Sequence, residues 1–371
     1  MSWSLRIAKI AGIGVQIHWT FLLLIAWVVG VRLAAGATAL QAFLTVVFVF
    51  ALFACVVLHE LGHALTARRF GIPTRDITLL PIGGVARLER MPDKPMQEFL
   101  VAIAGPAVNV AIALLLLPVV LATVNFDQLP QPGEDGAAFR LTGGLFALNL
   151  MVVNVMLVVF NAIPAFPMDG GRVLRALLSM TMDRLTATQI AARLGQAFAI
   201  LFGIAAIFIN PLLLIIAIFV FLGAEAEAHQ TQVRSLLRGV GVRDAMVTRF
   251  RTISPRQPLR DAIDALLSGA QTDFPVIESG ELVGMLRRDS IVRAAAENRH
   301  DAPIEEVMEE SPGQAHPGDS LSSVFQRMHG SEASTIPVVD PNGEVVGLVT
   351  LENVGEWMMI HNAARRGGRG S

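Results

Sequence analysis

The sequence predicts a multi-pass α-helical membrane domain of about six transmembrane helices, followed by a soluble α/β module made of two similar halves. Of the 371 residues, 53% are hydrophobic and only 16% are charged, and the mean hydropathy is +0.56. An ordinary soluble enzyme has about a quarter of its residues charged. The charges are also uneven, because Asp and Glu are almost absent before Glu60, whereas charged residues of both signs recur at short intervals after Glu225. An internal repeat lies in that charged half.

Six segments are expected to cross the bilayer, because a spanning helix needs about 20 mostly apolar residues. The candidates are residues 17–35, 40–58, 99–124, 143–163, 189–209 and 211–226. The last two are predicted to form a hairpin that turns at Asn210 and Pro211. We therefore assign the membrane domain to residues 1–228 and a linker to residues 229–241.

The distribution of Lys and Arg predicts the orientation, since these residues concentrate in short loops on the cytoplasmic side. Basic residues precede the first span and follow the second and fourth, namely Arg6, Lys9, Arg68, Arg69, Arg75, Arg87, Arg90, Lys94, Arg172, Arg175 and Arg184. The opposite loops hold few basic residues and several acids, namely Arg32, Asp127, Glu134, Asp135 and Arg140. We expect a plasma-membrane protein with both termini in the cytoplasm. The alternative for the N-terminus is a signal peptide cleaved near residues 35–37, which would remove the first span alone.

Charge and cysteine content exclude several classes of protein. A net charge of −2 and a pI near 6.5 give no electrostatic basis for a nucleic-acid partner. The single cysteine, Cys55, excludes a disulfide framework and a CxxC motif, and we interpret it as a small packed residue. Any metal ligands must then be His, Asp or Glu.

The second span ends in an HExxH motif, His59-Glu60-Leu61-Gly62-His63. Its two histidines lie one helical turn apart on one face, where both imidazoles can bind a tetrahedral zinc ion. His59 precedes Arg68 by nine residues, or roughly 13 Å along a helix, which places the motif inside the bilayer. Ionisable groups there are by default functional. The alternative is a pair of helix-surface histidines near a membrane boundary.

A third ligand is needed, and Asp169 is the strongest candidate. It follows the fourth span, which crosses the membrane in the same direction as the second span. The ends of these two spans should therefore lie at the same depth and on the same side. The alternative is a loop carboxylate that caps the next helix. Asn109 and Asn154, within the third and fourth spans, are predicted to form interhelical hydrogen bonds.

These features together resemble the site-2 protease family of intramembrane zinc metalloproteases. That family combines HExxH on one membrane helix with N-x-x-P-x-x-x-x-D-G at the end of a later one, here residues 161–170. Met168 replaces the usual leucine before the aspartate, and residues 105–109 also resemble a family motif. The resemblance implies one zinc ion with His59, His63 and Asp169 as ligands, Glu60 as general base and Asn161 as a substrate-positioning group.

The implied chemistry is peptide hydrolysis. Three protein ligands leave the fourth zinc position open to a water molecule, whose pKa the metal lowers to about 7. Glu60 would take the proton from this water and pass it to the leaving amine. The substrate would be a segment of a membrane protein within the lipid bilayer.

Residues 76–88 offer a way to hold an unwound substrate. Residues 77–80 and 85–88 are predicted as short strands around a turn at residues 81–84. An exposed edge at Gly83, Gly84 and Val85 could pair with an extended substrate, as the resemblance implies. The alternative is an ordinary cytoplasmic hairpin.

The charged half contains an internal repeat. Residues 242–246 match residues 304–308 and residues 274–277 match residues 336–339, both at an offset of 62. Residues 281–286 match residues 344–349 at an offset of 63, and the slip falls in a turn. Each copy predicts a leading segment, a helix (259–268 or 321–330), two strands around a tight turn and a closing helix.

This repeat resembles a pair of CBS domains, which we place at residues 242–298 and 302–361, followed by a disordered tail at residues 362–371. The resemblance implies homodimerisation and an adenine nucleotide as ligand, with Thr350 and Asn353 in a G-x-x-[ST]-x-x-D motif. Asn353 replaces the aspartate of that motif, and the first copy has Arg287 and Ser290 at the equivalent positions. The alternative is a module for dimerisation or substrate docking alone.

The sequence therefore favours an intramembrane zinc metalloprotease regulated by a cytoplasmic CBS pair. The alternative from another class is a CBS-gated metal or ion transporter, with His59, Glu60, His63 and Asp169 as a transport site. Against transport stand the position of this group near one membrane face and the lack of inverted repeats among the spans. A third interpretation, an inactive binding scaffold, conflicts with the presence of every expected chemical residue.

Overall fold

The computed structural model describes residues 4–81, 83–88, 91–92, 94–125, 144–331 and 333–367. The chain forms two compact units, Met1–His229 and Gln230–Ser371. Several charged residues used to predict the orientation lie outside the described part, namely Arg90, Asp127, Glu134, Asp135 and Arg140.

Seven helices make up most of the described first unit. They are α1 (Thr20–Ala34), α2 (Ala39–Arg69), α3 (Pro95–Thr123), α4 (Gly144–Ala162), α5 (Asp169–Leu178), α6 (Arg184–Phe208) and α7 (Leu213–Leu237). Within the described ranges, five are long and apolar enough to cross a membrane, namely α2, α3, α4, α6 and α7. The predicted hairpin of the last two spans is confirmed, and Asn210 accepts a hydrogen bond from the Leu212 N–H in its turn.

The first of the six expected spans is shorter in the structure than the other five. Helix α1 has only 15 residues, or roughly 22 Å of rise, against a hydrocarbon core of about 30 Å. It is shorter than predicted because residues 17 and 18 belong to a β-strand. The next helix begins at a capping box, in which Thr38 accepts from the Gln41 N–H and Gln41 accepts from the Thr38 N–H.

A four-stranded sheet accompanies these helices. Its strands are β1 (Ser4–Ile10), β2 (Ile13–His18), β3 (Thr74–Leu80) and β4 (Gly83–Leu88), in the order β1-β2-β3-β4. Strands β2 and β3 are parallel and the other pairs are antiparallel. The β3–β4 hairpin was predicted, whereas β1 and β2 were not. Buried side chains of β2 and β3, such as Val15 and Ile77, form a core with Phe21 of α1 and Leu61 of α2.

Helix α3 packs closely against α2 because small residues occupy the contact. A Cβ on Gly62 would lie 2.7 Å from the Ala104 carbonyl oxygen, and a Cβ on Gly105 would overlap the imidazoles of His59 and His63. The glycines thus let α3 approach the HExxH face of α2.

Helix α6 begins after Asp183, whose carboxylate accepts a hydrogen bond from the Thr186 N–H. This bond lowers the pKa of the exposed Asp183 carboxyl group.

The second unit confirms the predicted α/β repeat. Its elements are α8 (Leu259–Leu267), β5 (Phe274–Glu278), β6 (Glu281–Leu286), α9 (Arg288–Ala296), β7 (Glu309–Glu310), α10 (Leu321–Ser331), β8 (Thr335–Val339), β9 (Val345–Thr350) and α11 (Leu351–Gly367). Ser279 and Gly280 both have positive φ, +54° and +93°, as a two-residue hairpin turn requires.

The two halves of this unit exchange their leading segments. Val242 and Ala245 of the first leading segment lie in the core of the second half, beside Val349 and Val354. In turn Ile304, from the second leading segment, lies in the core of the first half, which includes Phe274. Each of the two hydrophobic cores therefore contains residues from both copies of the sequence repeat.

The predicted linker and the predicted C-terminal tail are both partly helical. Helix α7 continues to Leu237, so most of the predicted linker at residues 229–241 is helix. Helix α11 continues to Gly367, so residues 362–367 are helical rather than a disordered tail, and residues 368–371 lie outside the described part. The run from Ala363 to Arg366 consists mainly of strong helix formers, which favours this extension.

Candidate metal centre

Helix α2 places His59 and His63 side by side. Both are buried, with 8% and 3% of their surfaces exposed, and their Nε2 atoms lie 3.1 Å apart. The spacing of four residues brings both rings to one helix face, as predicted from the sequence.

The carboxylate of Asp169 joins them from a distant part of the chain. Its Oδ2 atom lies 3.2 Å from His59 Nε2 and 3.1 Å from His63 Nε2. Asp169 is the first residue of α5 and is also buried. Its other oxygen, Oδ1, lies 4.0 Å from Arg172 Nη1. The structure thus brings all three predicted metal ligands together.

Helix α3 supplies a hydrogen-bond acceptor to each imidazole. His63 Nδ1–H donates to the Val101 carbonyl oxygen at 2.7 Å, and His59 Nδ1–H donates to Asn109 Oδ1 at 2.9 Å. Each bond fixes the ring orientation and directs the Nε2 lone pair toward the shared centre.

The donor set fits a zinc ion. With both Nδ1 atoms donating, each neutral imidazole keeps a lone pair on Nε2, beside a carboxylate oxygen. Three electron-rich atoms within 4.8 Å of one another, in a buried place, repel unless a cation lies between them. Two His and one Asp are ligands that zinc accepts, with a fourth position left open.

Glu60 lies next to this centre and contacts the sheet. Its Oε2 atom accepts a hydrogen bond from the Ala86 N–H of β4 at 3.1 Å. Gly84 of the same strand packs against it, because a Cβ there would lie about 3.0 Å from Glu60 Cγ. Of the predicted substrate-pairing residues, Gly83 begins β4 and Val85 is 44% exposed.

Two polar groups at the centre could not be predicted from the sequence, and the hydrogen bond of one asparagine differs from the one expected. The Val101 carbonyl and the Ala86 N–H are backbone groups, which no side-chain pattern reveals. Asn109 does make the predicted interhelical bond, but to a histidine of the centre. Asn154 instead donates to the Leu150 carbonyl oxygen of its own helix. Asn161, the expected positioning group, is half-buried in the last turn of α4.

Thr350 and Asn353 lie together where β9 leads into α11. Thr350 Oγ1 accepts from the Asn353 N–H at 3.0 Å, and Asn353 Nδ2 donates to the Ala245 carbonyl oxygen at 2.6 Å. The asparagine that replaces the motif's aspartate therefore links α11 to the first leading segment.

Proteins similar to this chain are known for both of its units. Residues 47–141 and 136–202 match the profile of peptidase family M50, and residues 242–297 and 304–359 match the CBS domain. A zinc metalloprotease of Methanocaldococcus jannaschii is 31% identical, over 97% of this chain and 97% of that protein. The chain belongs to peptidase family M50. Stage IV sporulation protein FB of Bacillus subtilis, 26% identical over 68% of this chain and 85% of its own, is a further relative.

A solved site-2 protease from Methanocaldococcus jannaschii is also similar, with 36% identity and a TM-score of 0.45. It covers 61% of this chain and 95% of its own. Family membership makes this chain a site-2 protease homologue, a metalloprotease of the membrane with tandem CBS domains, and its relatives point to zinc. The family match and the metalloprotease relative favour the protease over the transporter.

Proposed function

We propose that this chain is a zinc endopeptidase that hydrolyses a peptide bond in or near a transmembrane segment of a membrane protein. The observation that supports it is the convergence of the His59, His63 and Asp169 ligand atoms, beside Glu60, among helices able to cross a bilayer. The three residues would hold one zinc ion per chain and leave one position open.

Each polar residue of the site has a defined task in this reaction. When bound, zinc supplies Lewis acidity to the scissile carbonyl group and to the attacking water. Glu60 accepts the proton that the water loses and then donates it to the leaving amine. Asn161, eight residues before Asp169, hydrogen-bonds the substrate near the scissile bond.

The substrate enters as an extended strand on the edge of β4 that lies opposite β3. The Ala86 N–H bonds Glu60 rather than β3, so this edge faces the helix that carries the histidines. A substrate segment paired beside Gly83, Gly84 and Val85 would run past Glu60 with its peptide bonds exposed.

The direct test replaces Glu60 by Gln, and measures bound zinc and cleavage of a membrane substrate on the same preparation. We expect zinc to be retained and cleavage to fall about 100- to 10,000-fold, because a general base is lost while the ligands remain. Glu225→Gln, the same change at an exposed glutamate of the first unit, should preserve both. Unchanged turnover in E60Q would remove Glu60 from the mechanism.

The CBS pair binds an adenine nucleotide through Thr350 and Asn353. It also regulates the protease and joins two chains into a homodimer. The sequence motif and the position of both residues at the beginning of α11 support the ligand site. Titration of the full chain with AMP, beside T350A, tests it. In a calorimetric titration we expect the wild type to release or absorb heat as AMP binds and T350A to show no such heat. If neither protein binds AMP, the proposed nucleotide site is wrong.

A further inference from the structure

A second polar cluster, centred on the buried side chains of Arg175 and Glu98, lies outside the candidate metal centre. The guanidinium group of Arg175 on α5 has only 1% of its side-chain surface exposed. Its Nε donates to Glu98 Oε1 of α3 at 2.7 Å, and its Nη1 donates to Glu227 Oε1 of α7 at 2.5 Å. It also lies over the ring of Phe166, 4.8 Å from the centroid.

Arg184, at the beginning of α6, contacts the same cluster. Its Nη2 lies 2.9 Å from Glu98 Oε2, and its Nη1 donates to the Pro92 carbonyl oxygen. Two cations thus balance two anions, and four helices meet at one place. A buried charge that loses its partner is strongly destabilising. Moving one helix away from another would separate these charges, so the contacts hold the helices at fixed separations.

The cluster is linked to the metal centre through both α3 and α5. Glu98 lies three residues before Val101, whose carbonyl oxygen orients His63, and α3 also carries Asn109, which orients His59. Arg175 lies six residues after Asp169 on the short helix α5. The Arg175–Glu98 pair therefore joins the helix that supplies the carboxylate ligand to the helix that orients both imidazoles.

The other end of α5 is fixed by close packing. A Cβ on Gly170 or Gly171 would overlap the backbone of residues 162–166. These glycines hold the beginning of α5 against the chain that precedes it, whereas its last turn is held by the guanidinium of Arg175. The two attachments together set the direction in which the Asp169 carboxylate points.

We propose that Arg175 is a positioning residue of the metal centre, which holds α5 so that the Asp169 carboxylate meets the two imidazoles. Glu227 makes this position depend on α7. That helix ends at Leu237, which is buried in a hydrophobic core of the second unit. A shift of α7 would thus change metal binding through Glu227 and Arg175. The inference rests on the proposed zinc site.

The test measures zinc affinity of the full chain in detergent by competition with a chromophoric chelator, together with the visible spectrum of bound Co²⁺. We expect Arg175→Gln to weaken zinc binding by about 10- to 100-fold, the range typical of residues that support metal ligands. Arg175→Lys should recover part of this loss. The matched control is Arg184→Gln, which removes a guanidinium from the same glutamate but belongs to α6 rather than α5, and should leave affinity within about 3-fold of wild type.

Glu227→Gln keeps the Arg175–Glu98 pair, and so serves as the deciding variant if R175Q does not fold. We expect a several-fold weaker affinity and an altered Co²⁺ spectrum at wild-type helicity. Wild-type affinity and spectrum in folded R175Q or E227Q would overturn the proposal. So would an equal loss in R184Q, because that result assigns the effect to general destabilisation.

Asp169→Ala separates this proposal from the one on which it rests. If D169A binds zinc as tightly as wild type, the proposed metal site itself is wrong, and the role of Arg175 is overturned with it. If D169A loses zinc while R175Q keeps it, the site stands and only the positioning role of Arg175 is rejected.

Discussion

The imidazoles of His59 and His63 each use both ring nitrogens. Nδ1 donates to an acceptor on α3, and Nε2 faces Asp169. The acceptors differ, because one is the Val101 backbone carbonyl and the other is the Asn109 side chain. Only the second can be removed by mutation, which makes Asn109 the residue that tests whether ring orientation matters.

Asn109→Leu should weaken zinc binding by about 10- to 100-fold, because the His59 ring loses the acceptor that fixes its tautomer and orientation. Asn109→Asp keeps an oxygen acceptor and should bind zinc closer to the wild-type level. Zinc affinity by chelator competition checks both variants. Equal affinity in N109L and wild type would show that the bond at 2.9 Å does not support the centre.

Strand β4 is the element of the sheet that contacts Glu60, the proposed general base. It pairs with β3 on one side, and its Ala86 N–H reaches Glu60 on the other. Proline is tolerated where a strand's N–H points away from its neighbour, so the edge can be altered without unpairing β3 and β4.

Ala86→Pro should therefore retain zinc but reduce cleavage of a membrane substrate at least about 10-fold, since Glu60 loses a charge-assisted hydrogen bond and the edge loses a donor. Ala86→Ser keeps the N–H and is the matched control. The cleavage rate and the zinc content of both variants are measured and compared with those of the wild type. Cleavage by A86P at the wild-type rate would reject the β4 edge as the substrate site.

Elements with a strong local pattern could be predicted from the sequence, and those defined by distant pairing could not. The five long apolar helices, the β3–β4 hairpin and the duplicated α/β halves follow from hydropathy, turn residues and internal similarity. Strand β2 pairs in parallel with β3, about 60 residues further along, which no local pattern encodes. The same limit applies to the centre, where HExxH is local but the Val101 and Ala86 backbone contacts arise only on folding.

The whole molecule joins a membrane unit and a CBS unit through helix α7. Both termini are proposed to lie in the cytoplasm of a plasma-membrane protein, on the basis of the basic loops. The sequence contains one cysteine, Cys55, which is buried, so Cys55→Ala provides a background without cysteine.

In that background, single cysteines at two exposed positions report the orientation. A cysteine replacing Ala35, between α1 and α2, should react with a membrane-impermeant maleimide in intact cells. One replacing Met359, which is 67% exposed on α11, should react only after permeabilisation. The reverse labelling pattern would contradict the proposed orientation.

The proposed reaction requires a single zinc ion held by the two histidines of α2 and by Asp169, the first residue of α5. Zinc content per purified chain, measured by elemental mass spectrometry in wild type, Asp169→Ala and Asp183→Ala, tests this directly. We predict about one zinc in wild type and in D183A, whose aspartate caps α6, and less than about a tenth of one in D169A. A full zinc ion retained by D169A would contradict the assignment.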